Sequence, residues 1–434
     1  MQRIVAIICG ALVALGLIGA GTYYAVAAKK PAMPAAIQKT GLDLKTTDPK
    51  AFKAFFPDHY DSYMKNADMN HPALKYASSE KKKSRLEQFP YMNTLWNGMA
   101  FSKEYNEARG HVYTNEDVIG GNGTVGTKRI GAATNLTCMY CKSAEVPQLI
   151  EKMGNAFYNT KLLEGDNKTQ FKHPISCSDC HNPDTMELRI TRPALVEAMA
   201  RRGTPVEKAS HQEMRSLVCA QCHVEYFFNP KDSAKVTFPW DNGFEAKDMF
   251  AYYQKEQFSD WKHPQTEGGL LKAQHPEYEM FQGSTHQQAG LSCADCHMPY
   301  MKQGDSKISS HWWTSPVRTI EASCATCHKQ SEEEIKNRIL YTQDRVKEAL
   351  DQAGLANKAA VEAIEKSKAV AGVDTKMLDE ARALHREAQF YWDIASAENS
   401  MGFHNPQKFL KTLADSIDLA RQAELKAVQA GVKK

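Results

Sequence analysis

Ten of the eleven cysteines fall into pairs whose spacing could carry chemistry, and each pair reads Cys-x-x-Cys. In four of the five pairs a histidine follows the second cysteine at once. These four motifs contain Cys177, Cys180 and His181; Cys219, Cys222 and His223; Cys293, Cys296 and His297; and Cys324, Cys327 and His328. Two thiols one helical turn apart can each form a thioether to a vinyl group of a haem, and the next residue can ligate the iron. The pattern therefore predicts four covalently attached haems c, each with a proximal histidine.

Other uses of paired cysteines explain this pattern less well. Disulfides suit an exported protein, but they would not require a histidine after four of the pairs. Zinc ribbons do not add a systematic following histidine, and thioredoxin-like redox motifs occur singly. The eleventh cysteine, Cys9, lies in an N-terminal apolar run, so haem attachment leaves no other cysteine over.

The remaining pair ends in lysine instead of histidine, in the stretch Cys138-Met139-Tyr140-Cys141-Lys142. It is either a pair without a haem or a haem whose proximal ligand is the Lys142 amine. A free lysine has a pKa of about 10.4, and both burial and a nearby iron favour the neutral form that can ligate. A catalytic haem needs an open coordination position, whereas electron-relay haems are usually closed by two protein ligands. A unique ligand on one haem of five therefore predicts where the chemistry takes place.

The N-terminus reads as an export signal. Arg3 precedes an apolar run from Ile4 to Ala20. The small residues of Ala25-Val26-Ala27 resemble a signal-peptide cleavage site. The run is longer than the roughly 7–15 residues usual in a signal peptide. Residues 1–27 are thus predicted to be a cleaved signal or, as the second interpretation, an uncleaved anchor. Both place the protein in the periplasm, the second in association with the cytoplasmic membrane.

The rest of the chain is predicted to be mainly α, a multihaem cytochrome c with a haem-packed core, long loops and long C-terminal helices. Pro31 to Lys50 reads as an arm on the surface, and residues 28–330 hold all the motifs. Residues 331–434 read as helices of the same compact unit, including Lys376 to Ser400 and Pro406 to Ala430, with Gly354, Gly372 and Gly402 separating them. This segment is either an ordinary helical cap or a homodimer interface. The net charge of +3, from 54 basic and 51 acidic residues, gives no reason to expect a nucleic-acid partner.

One Cys-x-x-Cys-Lys motif followed by four Cys-x-x-Cys-His motifs resembles the pentahaem cytochrome c nitrite reductases, the ammonia-forming kind. The resemblance runs from about His111 to His404. It implies five haems c, Ca²⁺, and a six-electron reduction of nitrite to ammonium at the Lys142 haem. It also implies a membrane-bound, quinol-oxidising cytochrome c as electron donor and a homodimer.

The resemblance also assigns site residues that spacing alone leaves open. The distal ligands of the second, third, fourth and fifth haems would be His311, His111, His404 and His286. The other histidines outside the motifs and the active site would be surface or structural residues, namely His59, His71, His173, His211, His263 and His385.

Two further stretches resemble the substrate pocket and calcium site of that family. Arg109 in Arg109-Gly110-His111 would bind nitrite, and His275 would donate a second hydrogen bond and supply protons. The phenol of Tyr226 would face substrate as a proton or radical site. Calcium would be held by the Glu225 carboxylate, the carbonyls of Tyr226 and Lys272, and the amide oxygen of Gln274, which are the oxygen donors Ca²⁺ prefers.

Two alternatives remain at this point. A pure electron-transfer multihaem cytochrome would close every haem with two protein ligands. A related multihaem reductase would act on hydroxylamine or sulfite in the same pocket.

Overall fold

The computed structural model describes residues 39–76, 83–107, 109–120, 125–303 and 306–432. The predicted signal or anchor over residues 1–27 lies outside this range. Of the predicted arm, residues 39–50 are described, and Thr40 contacts the loop after the second motif, where its backbone N–H donates to the Asp184 carbonyl at 3.0 Å. Within the described ranges, no helix is both long and apolar enough to span a bilayer.

The described chain is mainly α-helical, as predicted. The α-helices are Pro57–Met64, Arg85–Gln88, Met92–Leu95, Glu116–Ile119, Val146–Met153, Ala156–Asn159, Cys177–Cys180, Pro193–Arg201, His211–Ala220, Ala246–Glu256, Glu277–Phe281, Thr285–Gln288, Cys293–His297, Ile320–Ser323, Glu332–Lys368, Thr375–Ala397 and Pro406–Ala430. Short 3₁₀ helices cover Pro49–Phe52, Lys65–Ala67, Ala100–Ser102, His111–Tyr113, Leu136–Met139, Asn167–Gln170, Val206–Lys208 and Pro316–Arg318.

The described strands form three small antiparallel pairs. They are Phe227–Asn229 with Lys235–Thr237, Trp261–Lys262 with Gly269–Leu270, and Tyr300–Gln303 with Ser306–Ser309. Each pair is isolated, so no extended sheet organises this part of the chain.

Short helices begin at several of the cysteine pairs because the sequence caps them. Ser176 and Asp179 form a reciprocal capping box at the second motif, and Ser292 and Asp295 do the same at the fourth. Such a box satisfies two backbone donors that a helix start leaves open. The motif residues are thereby fixed in one turn of helix, which is the spacing that thioether formation requires.

Three long helices follow the motifs. The first, Glu332–Lys368, starts at Ser331 with a capping box to Glu334 and runs through Gly354 without a break. The prediction that Gly354 separates helices is therefore wrong. A Cβ at this position would overlap the ring of Tyr91, so the glycine allows a close approach. Gly372 and Gly402 do lie between helices, with φ of +80° and +83°.

Two large apolar clusters are buried in the described part of the chain. One joins Trp96 to Trp392 and Leu350 of the long helices, so the helical segment packs against the region of the motifs. The other surrounds the first three motifs and includes Leu136 and Trp240. No described residue between Met280 and Val346 belongs to these or to the two smaller clusters, although this stretch carries the last two motifs.

Candidate haem centres and substrate site

Histidine rings lie together in four pairs, and the distance between ring centroids is nearly the same in each pair. The ring centroids are 6.3 Å apart for His181 and His311, 6.1 Å for His111 and His223, 6.1 Å for His297 and His404, and 6.2 Å for His286 and His328. A metal–imidazole bond is about 2 Å long and the ring centroid lies roughly 1.1 Å beyond the nitrogen, so two imidazoles on opposite faces of one metal sit roughly 6.2 Å apart. Each pair joins a motif histidine to the distal histidine that the resemblance assigns to it. The four sites fit haems c with two histidine ligands.

A fifth pair, His263 and His385, has the same 6.3 Å separation but no cysteine motif supplies either ring. Both rings are fully buried, and His263 Nε2 bonds the Thr94 carbonyl at 2.8 Å. These histidines are therefore structural, and neither lies on the surface.

Several ligand rings are oriented by a second contact at Nδ1. His181 contacts the Met186 carbonyl at 2.8 Å, His311 the Ser309 carbonyl at 2.9 Å, and His297 the Thr314 carbonyl at 3.2 Å. A metal-bound histidine commonly donates its other N–H in this way, which leaves Nε2 for the metal.

Two ligand rings have a carboxylate at Nδ1 instead. Buried Glu398 pairs with His404, and Glu277 lies 3.7 Å from His223. A carboxylate partner makes an imidazole a stronger donor to the metal than a carbonyl does. Sequence reasoning did not find these two partners, because neither stands at a fixed spacing from its histidine.

Contacts between cysteines of different motifs show which attachment sites are neighbours, and these sites do not form a single row. The thiol of Cys141 in the first motif meets that of Cys222 in the third, and Cys219 of the third meets Cys293 of the fourth. Cys180 of the second motif also interacts with Cys222, and Cys296 of the fourth with Cys324 of the fifth. The third site therefore adjoins the first, second and fourth, and the fifth is reached through the fourth.

Lys142 lies just after the 3₁₀ turn Leu136–Met139. Its backbone N–H donates to the Met139 carbonyl at 2.9 Å, and its carbonyl accepts from Thr114 Oγ1 at 2.8 Å. Its side chain interacts electrostatically with His111 and His275. The lysine, a ligand of the third haem and the predicted substrate histidine thus share one region.

His275 and Tyr226 are uncharged hydrogen-bond donors in this region, through a ring N–H and a phenol O–H. Burial lowers the pKa of His275 to about 3, even though Glu277 acts in the opposite direction. Burial raises the pKa of the Tyr226 phenol well above its usual range. The buried ring of His275 is therefore neutral and can act as an N–H donor.

The structure does not bring Arg109 into this site. Its Nε donates to Asp117 at 3.0 Å, its Nη2 lies 3.4 Å from Glu116, and the guanidinium stacks on Tyr113 at 3.9 Å. The charge is thus paired with carboxylates in this structure, and the role of Arg109 in binding nitrite stays a prediction.

A second arginine, Arg129, lies near the first cysteine motif. It interacts electrostatically with Cys138 and with Tyr226. Its guanidinium stacks on Phe101 at 4.4 Å and its Nε contacts Thr127 Oγ1 at 3.4 Å, and none of the ion pairs found in the described ranges includes it. The available signal in the sequence was its position nine residues before Cys138, closer to the motif than Arg109.

The predicted calcium ligands also meet. The backbone N–H of Gln274 donates to Glu225 at 2.6 Å, and its side-chain amide donates to the Lys272 carbonyl at 2.9 Å. Over the described ranges, no group of three His, Cys, Asp or Glu side chains surrounds a metal position, and the predicted set relies on one carboxylate with carbonyl and amide oxygens.

Carboxyl groups buried together support a cation at this position, because burial without one disfavours their charged forms. Burial raises the pKa of Glu225 well above its usual range, and raises that of neighbouring Glu279 to about 8 and that of Asp260 to about 7. The Lys272 ammonium pairs with Asp393 at 2.8 Å. A divalent cation would offset the remaining carboxylates, so the residues fit calcium.

The paired histidines beside cysteine motifs define a multihaem cytochrome c. Residues 48–434 match the family model Cytochrome c552, and the chain belongs to this family. It is 37% identical to the cytochrome c nitrite reductase subunit NrfA of Nitratidesulfovibrio vulgaris over 98% of this chain and 87% of that protein. It is 42% identical to a cytochrome c-552 of Bacteroides thetaiotaomicron, over 86% of this chain and 75% of that protein.

A solved structure agrees with these relatives. The cytochrome c nitrite reductase of Desulfovibrio desulfuricans, described with two calcium sites in its catalytic subunit, superposes with a TM-score of 0.85 at 37% identity. The match covers 90% of this chain and 88% of that one. The resemblance to nitrite reductases seen in the motifs is thereby confirmed.

Proposed function

We propose that this protein is an ammonia-forming nitrite reductase with five haems c. The observation that carries the proposal is the contrast between Lys142 and the four histidine pairs. Four sites each have two imidazoles at the separation that closes an iron on both faces. The fifth has a lysine, and the distal histidines assigned by resemblance are all used elsewhere. An iron held there would keep a face open for substrate.

When bound, the haems would relay electrons from the donor protein and supply the iron that binds nitrite. The residues around the open face would then bind the anion and provide protons. Arg129 lies beside Cys138 and Tyr226 and pairs with no carboxylate of the described residues, whereas Arg109 pairs with two. Arg129 would stabilise nitrite and the charge that builds on its oxygens.

His275 and Tyr226 would donate hydrogen bonds to the same oxygens. Both hold their protons at neutral pH because burial disfavours the charged forms. Both would polarise the N–O bonds as hydrogen-bond donors, while the protons for the leaving oxygens would come from water that reaches the site.

Calcium would fix the two segments that carry these donors. Glu225 precedes Tyr226 and Gln274 precedes His275, so one ion bound between Glu225, Gln274 and the carbonyls would hold both donors at once.

The proposal extends to partners and location, and the resemblance of the motifs and the apolar run from Ile4 to Ala20 support it. We propose a membrane-bound, quinol-oxidising cytochrome c as donor, a periplasmic location, and a homodimer formed through the long helices. Tyr341 and Leu355 on the first long helix are 62% and 55% exposed. They are about four helical turns apart, on one face, where a second copy could cover them.

The alternatives are not favoured. A pure electron-transfer cytochrome would need a second protein ligand opposite Lys142. Two relatives that cover 98% and 90% of the chain are nitrite reductases by name, which does not favour hydroxylamine or sulfite as the main substrate.

The test is steady-state reduction of nitrite with a reduced viologen, with ammonium quantified against nitrite consumed. We expect one ammonium per nitrite, and an intact mass that exceeds the mature polypeptide by five haems. Gaseous nitrogen oxides as the main product would contradict the function, and a gain of four haems would remove the Lys142 site.

A further inference from the structure

Arg192 is a buried arginine that the proposed chemistry does not use. It stands immediately before the helix Pro193–Arg201, and its side chain is 0% exposed. A buried guanidinium is costly unless its charge and its N–H groups are all satisfied. Its partners therefore indicate what it is there to hold.

The partners of Arg192 bracket the Lys142 motif. Its Nε donates to the Tyr140 carbonyl at 2.8 Å, and its Nη2 donates to the Ser143 carbonyl at 3.0 Å. Only Cys141 and Lys142 lie between these two carbonyls. One rigid, planar group thus fixes the backbone on both sides of the thioether cysteine and the lysine ligand.

The same guanidinium ties this bracket to the second and third motifs. Nη2 pairs with Asp179 at 2.7 Å, and Asp179 lies between the cysteines of the second motif. Gln221, between the cysteines of the third motif, donates to the Asp179 carbonyl at 2.9 Å. Three attachment segments therefore share one buried polar network.

We propose that Arg192 is a positioning residue for the lysine-ligated haem. It sets the path of the backbone at Lys142, so that the amine reaches the iron at a fixed distance and direction. This inference rests on the proposed function, because it assumes a haem attached at Cys138 and Cys141 with Lys142 as its ligand.

The geometry requires arginine at this position. An arginine fork can donate to two carbonyls and a carboxylate from one plane, whereas a lysine ammonium is a single point at the end of a flexible chain. Arg192→Lys would keep the positive charge opposite Asp179 and lose the paired hydrogen bonds to the carbonyls of Tyr140 and Ser143. It separates positioning from charge without leaving a buried carboxylate unpaired.

The same helix provides a matched control. Arg201 pairs with Asp241 at 2.7 Å and donates to the Phe238 carbonyl at 2.8 Å, away from the motifs. Arg201→Lys makes the same chemical change on a similar set of contacts.

The experiment compares both variants with the wild-type holoenzyme. Haem count is measured by intact mass, and the substrate-binding haem by its high-spin EPR signal and midpoint potential. For Arg192→Lys we expect an altered signal and potential, and a kcat for nitrite lower by about tenfold with KM within about twofold. Arg201→Lys should match the wild type in all of these.

Each outcome decides between the alternatives. Loss of one haem, that of Cys138 and Cys141, would also support the bracket. Wild-type signal, potential and kcat in Arg192→Lys would overturn it, as would failure of that variant alone to accumulate, because Arg192 would then serve the whole fold. If the wild-type enzyme reduces nitrite but shows no lysine-ligated haem, the assumption about Lys142 fails; if it reduces no nitrite, the proposed function fails.

Discussion

Replacing Arg129 by glutamine should impair nitrite reduction selectively. Nε of Arg129 donates only weakly to Thr127 Oγ1, at 3.4 Å, and no described carboxylate neutralises the guanidinium. Its charge is therefore available to an anion. Glutamine keeps polarity and much of the length, while it removes the charge.

The magnitude follows from the contact that is lost. A hydrogen bond to a charged group contributes about 1.5–3 kcal/mol, which corresponds to roughly tenfold to a hundredfold in kcat/KM. Hydroxylamine is neutral and loses no charge-assisted bond. Arg129→Gln should thus lower kcat/KM for nitrite by at least about tenfold more than for hydroxylamine.

Arg109→Gln is the matched control for this prediction. Arg109 already pairs with Asp117 and Glu116, and partly exposed pairs of this kind contribute about 0–1 kcal/mol. We expect its effect to be within about fivefold and equal for both substrates. The assay is the kinetics of both substrates on three proteins at one pH and one donor concentration. Equal losses for the two substrates in Arg129→Gln, or a larger selective loss in Arg109→Gln, would refute the assignment.

Three further outcomes are expected. Lys142→His should keep all five haems by intact mass but lose most nitrite turnover, because it removes the unique ligand; wild-type turnover would deny lysine a special role. Glu225→Ala, or removal of calcium by a chelator, should depress activity at unchanged haem content, since the ion offsets buried carboxylates; full activity in protein shown by elemental analysis to lack calcium would count against the site. Glu398→Gln should raise the midpoint potential of the haem ligated by His404, because a neutral partner no longer strengthens the imidazole as a donor; spectroelectrochemistry measures this, and an unchanged potential would contradict it.

The proximal ligands could be predicted from the sequence because they are local. Two cysteines and the next residue share one turn of helix, so spacing alone assigns His181 or Lys142 to its haem. The distal ligands come from far along the chain, as with His111 and His223, and spacing cannot choose among the candidates. Only the resemblance could, and the measured ring separations agree with it.

Arg109 shows what spacing cannot predict about the contacts of a side chain. Its role was predicted from the neighbouring His111. The direction of a side chain depends on the groups it contacts, and here Arg109 donates to Asp117, eight residues further on. The prediction for Gly354 was wrong for a similar reason. Glycine favours a helix end in sequence, while here the ring of Tyr91 requires a position without a side chain. Tertiary contacts decided both cases.

The stretch between Met280 and Val346 has a consequence for how the protein is made. Its described buried side chains, Ile308, Ile320 and Ile339 among them, stand outside the four apolar clusters, so the two haems would supply much of its apolar contact. Covalent attachment at Cys293, Cys296, Cys324 and Cys327 is then a folding step as well as a chemical one. A chain that lacks either haem is then expected to be cleaved faster in this stretch than a complete one, which limited proteolysis would measure.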